Sequence, residues 1–536
     1  MRHISTLLVA TLVACTEPPP PPPALTVTSP DRGMVQSDAG QVIVKGTALP
    51  GASGEPVAWV SVNDHPAALS ADGSFTATVD VPTGAMLLET TAMSQSGGKI
   101  TDVRAVQAGQ VRPVGTSIDR AVSAALSADA FARLSAAAGP ILKTTDFAAL
   151  IAPLQPMANA GDDIANVKLS ITKLTIGDVK ITLTPVDGGL EFSAEIDALA
   201  VAARADYSGA LVPDGTTNLD VTANSITISG TLTVTPAGTA GFTTKLASPK
   251  VNMVGLQLKA NDLIGDVLDL VQSQLASTVQ SAVTSSLESG LEPVLDDALG
   301  ALAGPKQLDV LGKKVDLQAT PSAITFSRAG AVVTLNLSAK IEGSESSPGY
   351  IFTPNGTPAL DMTSGVQLAV ADDLMNEMFA EIHALGLLDI HLPLNEGVFD
   401  TLEMKLTLPP MISAATDDGK MRLVLGDMIA TVSNQGKPIA SVAVNAQVDL
   451  AIARGNDSQQ LAIELGKVEL FVGLLDNSGT DTGDVATAAS AGIGVQLDSL
   501  GKFLVTLPLP SIAGVSLDNV SVRGDSGYVV VAGQIH

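Results

Sequence analysis

The sequence feature that most constrains the fold is an apolar stretch of the chain, residues 261–303. Its apolar residues recur at steps of three and four, which places them on one side of a predicted α-helix and polar residues on the other. A helix of this length would reach roughly 60 Å, with a kink or break near Gly290 and Pro293. The candidate inner side of this helix consists of Ile264, Leu268, Val271, Leu275, Val279 and Leu287.

Most of the remaining chain alternates apolar and polar residues, which is the pattern of half-buried β-strands. In the run 167–172, Leu169 and Ile171 fall on one side of the predicted strand, and Ile181 continues the pattern in the next strand. Similar runs follow Gly304-Pro305 to the end of the chain. These runs predict two antiparallel sheets that each have one apolar face, one before and one after the apolar stretch.

Two further segments have helical spacing. Residues 116–154 are rich in alanine and predict two helices or one broken helix. Asp372 to Leu385 predicts a second amphipathic helix, with Leu374, Met378 and Ile382 on its apolar side. The predicted fold class is therefore mainly β with long α-helices (α+β), in which each curved antiparallel sheet is wrapped around a long helix.

The N-terminus has the features of an export signal. Arg2 precedes a short apolar run that ends in Leu12-Val13-Ala14-Cys15, and Cys15 is the only cysteine of the chain. This run is too short to cross a bilayer, and its end resembles the bacterial lipobox. The resemblance implies a signal peptide at 1–14, lipid attachment at Cys15 and an outer-membrane location, on the periplasmic or cell-surface face. The alternative is an ordinary secretory signal with an incidental cysteine.

The segment that follows predicts a spacer. Residues 15–23 contain the lipidated cysteine and a run of prolines, which favours a stiff polyproline II linker of roughly 20 Å. Residues 24–109 then show short alternating runs with turn residues between them, which is typical of a β-sandwich. The order of these runs resembles bacterial immunoglobulin-like modules, so we expect an immunoglobulin-like β-sandwich spacer here.

Composition narrows the function. The formal net charge of −26 argues against nucleic acid as a partner. Aromatic residues make up only 3% of the chain, so its core must be built from small aliphatic side chains. The chain has no nucleophile elbow and no phosphate-binding loop, and its histidines are not spaced as metal ligands. We therefore expect no enzyme activity, no cofactor and no metal site.

Three passages together resemble the tubular lipid-binding family, which includes bactericidal/permeability-increasing protein, lipopolysaccharide-binding protein and cholesteryl ester transfer protein. They are Lys173–Asp178, Val283–Pro293, and Leu507–Ile512 with Val515–Val520. The resemblance implies an N-terminal lipid-binding barrel with the long helix at 110–310 and a C-terminal barrel at 311–536. Two features depart from the family: the chain lacks a cysteine to tie the helix to the sheet, and residues 160–304 are acidic overall.

A sheet and a helix lined by small aliphatic residues would leave room for an acyl chain, which gains about 0.8 kcal/mol for each methylene that it buries. The candidate lining is the inner side of the predicted long helix, with Leu169, Ile171 and Ile181 opposite. The alternative is that these residues form an ordinary packed core. The sequence therefore predicts a membrane-anchored lipoprotein that binds or transfers phospholipid or another acyl lipid, or alternatively a non-enzymatic surface adhesin with solid-core β domains.

Overall fold

A computed structural model of the protein describes residues 20–133, 135, 158–161, 166–209, 214–260, 304–394, 399–416, 419–454, 461–477, 482–505 and 517–535. The predicted signal peptide, Cys15 and the predicted long helix at 261–303 lie outside the described residues. Strands account for most of the described chain.

The N-terminal part is a two-sheet sandwich. Its strands are β1 (Ala24–Ser29), β2 (Met34–Gln36), β3 (Gly40–Leu49), β4 (Val57–Val62), β5 (His65–Pro66), β6 (Ala68–Leu69), β7 (Ser74–Val81), β8 (Gly84–Ser94) and β9 (Lys99–Ala108). The sheets have the orders β1-β3-β7-β6 and β2-β9-β8-β4-β5. Side chains alternate strictly between core and solvent along β7, and Val44 and Phe75 of one sheet share a core with Leu88 and Val106 of the other.

A linker and a sheet of long strands follow. The elements are β10 (Val111–Arg112), β11 (Ile118–Ser127), a helical segment at 128–133, β12 (Ala158–Gly161), β13 (Asn166–Ile176), β14 (Val179–Val186), β15 (Gly189–Ser208), β16 (Gly215–Pro236), β17 (Phe242–Val254) and β18 (Gln257–Ala260). We call β12–β18 the long-strand sheet; its order is β12-β13-β15-β16-β17, with β14 also on β15 and β18 also on β16. β15 and β16 have 20 and 22 residues, or roughly 65 and 70 Å of strand.

The second half of the chain alternates strands with two helices. The elements are β19 (Gly304–Val310), β20 (Lys313–Ser327), β21 (Gly330–Ile341), β22 (Tyr350–Ile351), β23 (Val366–Ala371), α1 (Asp372–Ala384), β24 (Ile390–Pro393), β25 (Thr401–Leu406), β26 (Met411–Ser413), β27 (Met421–Asn434), β28 (Lys437–Arg454), β29 (Leu461–Asn477), α2 (Thr482–Val505), β30 (Leu517–Asp525) and β31 (Tyr528–Ile535).

These strands form two sheets with a shared core. The central sheet has the order β19-β20-β21-β11-β23-β31-β30, so it joins strands from distant parts of the chain. The C-terminal sheet has the order β24-β25-β27-β28-β29, with β26 paired to β27. Helix α1 packs between these two sheets and α2 packs on the C-terminal sheet, with Phe379 of α1 and Val485 of α2 in one continuous apolar core.

The predicted α+β architecture, with two sheets each wrapped around a long helix, is wrong. The described chain is mostly strand, and its helices are few: the segment at 128–133, α1 with 13 residues and α2 with 24 residues. The prediction gave the helical spacing of one stretch more weight than the alternation that runs through the rest of the chain. Long antiparallel strands bury most of the apolar side chains instead.

The helix predicted from residue 116 is also corrected. Residues Ile118–Ser127 form β11, which lies inside the central sheet between β21 and β23. Consecutive residues Ala121, Val122 and Ser123 of β11 are all buried, so this strand is covered on both faces and its sequence is apolar without strict alternation. That is why this alanine-rich run looks helical. The helix predicted over Asp372 to Leu385 is confirmed as α1.

Candidate functional site

The long-strand sheet has one continuous apolar face. Sequence neighbours on the other side of the strands, such as Lys168, Glu191 and Asp220, are exposed. We call the buried side the apolar face; its members are Val167, Leu169, Ile181, Leu190, Phe192, Ala194, Leu199, Val201, Ala203, Ala205, Leu219, Val221, Ala223, Ile226, Ile228, Leu232 and Leu246. The face follows from the period of two in the sequence, because alternate side chains of a strand point to the same side.

The structure places three sequence-predicted site residues on this face. Leu169 and Ile181 are buried, and Ile171 is half-buried against the same cluster. Leu169 pairs with Ala205 and Ile171 with Ala203, so these two lie side by side. Ile181 pairs with Ala194 of β15. Ala194 lies nearer the start of β15 than Ala203, at a distance of roughly 30 Å along the strand. The structure therefore joins Leu169 and Ile171 and separates Ile181; the six candidates on the predicted long helix lie outside the described residues.

A line of backbone irregularities divides the apolar face into two halves. Gly177 interrupts the strand between β13 and β14, and a Cβ atom there would lie 1.9 Å from the carbonyl oxygen of Asp197. Ala198 on β15 has a left-handed φ of 57°, and Gly255 between β17 and β18 has a φ of 69°. Because these positions are neighbours across the sheet, we infer that the sheet bends along this line.

Among the described residues, the helical segment at 128–133 and the central sheet pack against the apolar face. Phe131 of the helical segment and Phe326 and Ala331 of the central sheet belong to the same buried cluster, and Leu126 and Ile324 pack against it. All five come from the helical segment and the central sheet.

The C-terminal sheet exposes part of its inner side at its edge strand β29. Val468, Leu470 and Leu474 pair with Val448, Ala446 and Val442, whose buried side chains face the shared core. The β29 side chains point to the same side but are 41%, 36% and 49% exposed. Exposed apolar residues in a row are uncommon on a protein surface and mark sites of interaction. We call these three residues the edge patch.

A cavity lies beside α2, between this helix and the chain that leads into β24. Its volume is about 200 Å³. The lining presents both polar and apolar surface, from Leu387, Leu388, Asp389, Ile390, His391, Leu392, Val495 and Gln496. The pockets of drug-sized ligands have volumes of roughly 300–1,000 Å³, so this cavity is too small to enclose such a ligand.

Helix α1 carries polar side chains that the sequence pattern placed in solvent. Every residue from Asp372 to Ile382 is buried, including Asp373, Glu377 and Glu381. The sequence gives no signal for this, because a helix with carboxylates on one side reads as amphipathic. Only the packing of α1 between two sheets decides that both of its sides are covered.

Each carboxylate of α1 accepts a backbone N–H from a different segment. The donors are Ala414 to Asp372 at 2.9 Å, Thr353 to Asp373 at 2.9 Å, Gly115 to Glu377 at 2.6 Å and Ile341 to Glu381 at 2.6 Å. One oxygen each of Asp373, Glu377 and Glu381 has no hydrogen-bond partner. The helix therefore ties four segments together at the cost of incompletely paired carboxyl groups.

Burial raises the pKa of these carboxyl groups. It raises the pKa of Asp372 to about 7, that of Asp373 to about 6 and that of Glu377 to about 8. The pKa of Glu381 is also raised by burial, opposed by its hydrogen bonds from Ser344 and Ile341. Removal from water disfavours the charged form of a carboxyl group.

The motifs that could suggest other chemistry are part of ordinary loop contacts. In Arg523-Gly524-Asp525, the arginine side chain donates to the carbonyl of Ala359. The carboxylate of Asp525 accepts the N–H of Ala359 at 2.8 Å, so both charged side chains bind the same neighbouring loop. The hydroxyl of Ser526 donates to Asp525 at 2.8 Å. In the described part of the chain, no three histidine, cysteine or acidic side chains are grouped as metal ligands.

Among the helices of the described residues, none is both long enough and apolar enough to cross a bilayer.

Comparisons with known proteins give distant structural similarities. No protein-family model matches the chain, and no curated protein matches it. The crystal structure of lipopolysaccharide binding protein aligns with 78% of this chain and 99% of its own, at 15% identity and a TM-score of 0.44. The structure of P47 of Clostridium botulinum E1 aligns with 78% of this chain and 100% of its own, at 9% identity and a TM-score of 0.28. Both TM-scores are below 0.5, so neither similarity assigns a family or a function to this chain.

Proposed function

We propose that this protein binds the acyl chains of a lipid by removing them from water, without a catalytic residue. The observation that carries the proposal is the edge patch: core-facing side chains of β29 are open to solvent. An acyl chain laid along them would gain about 0.8 kcal/mol for each methylene that it buries.

The resemblance of the sequence to the tubular lipid-binding family supports the same reading. We further propose that Cys15 is the attachment site of a membrane anchor, since it is the only cysteine and ends a lipobox-like run. Under this proposal the protein is a lipoprotein of the outer membrane that carries or transfers lipid. The alternative is a non-enzymatic surface adhesin with solid-core β domains, which would bind no lipid.

The test uses the full chain with Cys15→Ser, so that a covalent anchor is not mistaken for bound lipid. The protein is purified without detergent, incubated with phosphatidylethanolamine/phosphatidylglycerol vesicles and examined by native mass spectrometry. We expect bound phospholipid, and its loss in the double variant Leu470→Asp/Leu474→Asp, because a carboxylate on the edge patch opposes acyl burial.

Leu311→Asp is the matched control, since Leu311 has a similar exposure of 39% but lies in the turn between β19 and β20. Lipid binding should survive this change. A lipid-free Cys15→Ser protein that gains no mass from vesicles would overturn the proposal and favour an adhesin with solid-core domains.

A further inference from the structure

The N-terminal sandwich contacts the outer side of the C-terminal sheet in a docking site, or socket, that surrounds Asp427. This residue lies in a β-bulge of β27, where the pairing with β28 shifts between Leu425 and Met428. It has a left-handed φ of 46° and is fully buried. A bulge re-aims a side chain out of the regular ladder, and here it directs the carboxylate at the sandwich.

The carboxylate of Asp427 accepts hydrogen bonds mainly from donors of the sandwich. Arg32 donates to it at 2.7 Å, the N–H of Gly33 at 2.9 Å and the N–H of Ala105 at 3.1 Å. The neighbouring Asn445, also buried, donates to the carbonyl of Val103 at 2.9 Å. Charge-assisted hydrogen bonds of this kind are among the strongest in proteins and fix orientation as well as distance.

Further contacts surround this socket. Arg32 also pairs with Asp102 within the sandwich, which holds the guanidinium in place. Leu87, Val103 and Ala105 of the sandwich share a buried cluster with Leu408 and Val424 of the C-terminal sheet. Beside them, the side chain of Gln107 donates to the carbonyl of Pro409 at 2.7 Å. The contact thus has an apolar centre and polar groups on more than one side, as stable interfaces do.

The linker between the sandwich and the central sheet is held as well. Within it, β10 pairs with β22, and the guanidinium of Arg112 lies 3.3 Å from the ring centre of Phe352. The N–H of Gly115 donates to Glu377 of α1. A freely hinged spacer would have a linker of small or polar residues without contacts to the rest of the molecule, whereas this linker is held at Val111, Arg112 and Gly115.

We propose that the sandwich is not a flexible spacer but is locked to the C-terminal sheet through Arg32 and Asp427, so that the two move as one rigid body. The chain leading to the N-terminus then leaves the molecule at a fixed place. β8 runs from Gly84, beside Met411, to Ser94, whose hydroxyl donates to Pro21. This strand has 11 residues, or roughly 35 Å, so Pro21 lies at the end of the sandwich away from the C-terminal sheet. The inference does not depend on lipid binding.

The test measures the distance between the two parts in the full chain with Cys15→Ser, which contains no other cysteine. Spin labels are attached to Thr78→Cys on the sandwich and Lys437→Cys at the first residue of β28, both exposed positions. Double electron–electron resonance should give one narrow distance distribution. A broad distance distribution in this protein, which keeps Arg32 and Asp427, would by itself overturn the proposal.

The variant Asp427→Ala should broaden the distribution and speed proteolysis of the linker at 109–117, because it removes the one acceptor that Arg32, Gly33 and Ala105 share on the C-terminal sheet. The matched control is Asp449→Ala, whose carboxylate pairs with Lys420 and Arg422 of the same sheet rather than with the sandwich. The control should keep the narrow distribution. An Asp427→Ala protein with unchanged circular dichroism and an unchanged distribution would show that the lock does not hold the sandwich.

Discussion

At the scale of single residues, the sharpest constraint is Gly177 on the bend of the long-strand sheet. A Cβ atom at this position would lie 1.9 Å from the carbonyl oxygen of Asp197. No rotamer relieves this clash, because the backbone fixes the position of Cβ and the oxygen is itself a backbone atom. The neighbouring Ala198 already has a left-handed φ of 57°. The bend therefore depends on the absence of a side chain at one position.

We expect Gly177→Ala to lower the free energy of unfolding by about 1–3 kcal/mol, as overpacking in a fitted site does. The control is Gly494→Ala in α2, where nothing lies within 4 Å of the added carbon; it should be neutral or stabilising by up to about 1 kcal/mol. Urea denaturation of both variants measures the difference. Equal stability of the two variants would show that the strands move apart easily at Gly177.

At the scale of elements, α1 makes stability depend on pH. Its buried carboxyl groups have raised pKa values, with Glu377 at about 8 and Asp372 at about 7. The folded state therefore holds these protons more tightly than the unfolded state, whose carboxyl pKa values are about 4. Such a group contributes stability that is fully present below the unfolded pKa and is lost as the pH rises through the folded pKa.

We expect the free energy of unfolding to fall as the pH is raised from about 5 to about 9. Glu377→Gln cannot ionise and keeps an oxygen for the N–H of Gly115, so it should be more stable than the wild type near the upper limit and similar to it near the lower limit. Urea titrations at both ends of this range check the expectation. Glu403→Gln, at a half-exposed side chain on β25, is the control and should leave the slope unchanged.

At the scale of the whole molecule, the central sheet joins segments that are far apart in the chain. β11 lies next to β21 and β23, and the C-terminal strands β30 and β31 complete the same sheet. The predicted barrels at 110–310 and 311–536 therefore share a sheet. Together with the proposed pairing of Arg32 and Asp427, this arrangement makes the N-terminal sandwich and the edge patch parts of one body.

The membrane anchor is a prediction about the whole molecule. If Cys15 carries a diacylglyceryl group, the protein should fractionate with membranes, and Cys15→Ser should release it into the soluble fraction. The substitution removes the acyl chains, and each methylene that is no longer buried in the membrane lowers the binding free energy by about 0.8 kcal/mol. A wild-type protein that is soluble and has the mass of the unmodified chain would refute the anchor and favour an ordinary secretory signal.

The sequence by itself determined which side chains share a face of a strand. Alternation placed Leu169, Ile171 and Ile181 on the apolar side, and the helix predicted from Asp372 begins at that residue. These features are local, because the period of a strand or helix depends only on backbone geometry.

Only the tertiary structure decided what covers each face. It made Ile118–Ser127 a central strand instead of a helix, buried the carboxylates of α1, left the edge patch of β29 open and brought Arg32 to Asp427. The last two residues are 395 positions apart, and no local pattern carries information about such a pairing. A period shows that a face is apolar, whereas the long-range packing of other elements decides whether that face becomes core, docking surface or open binding site.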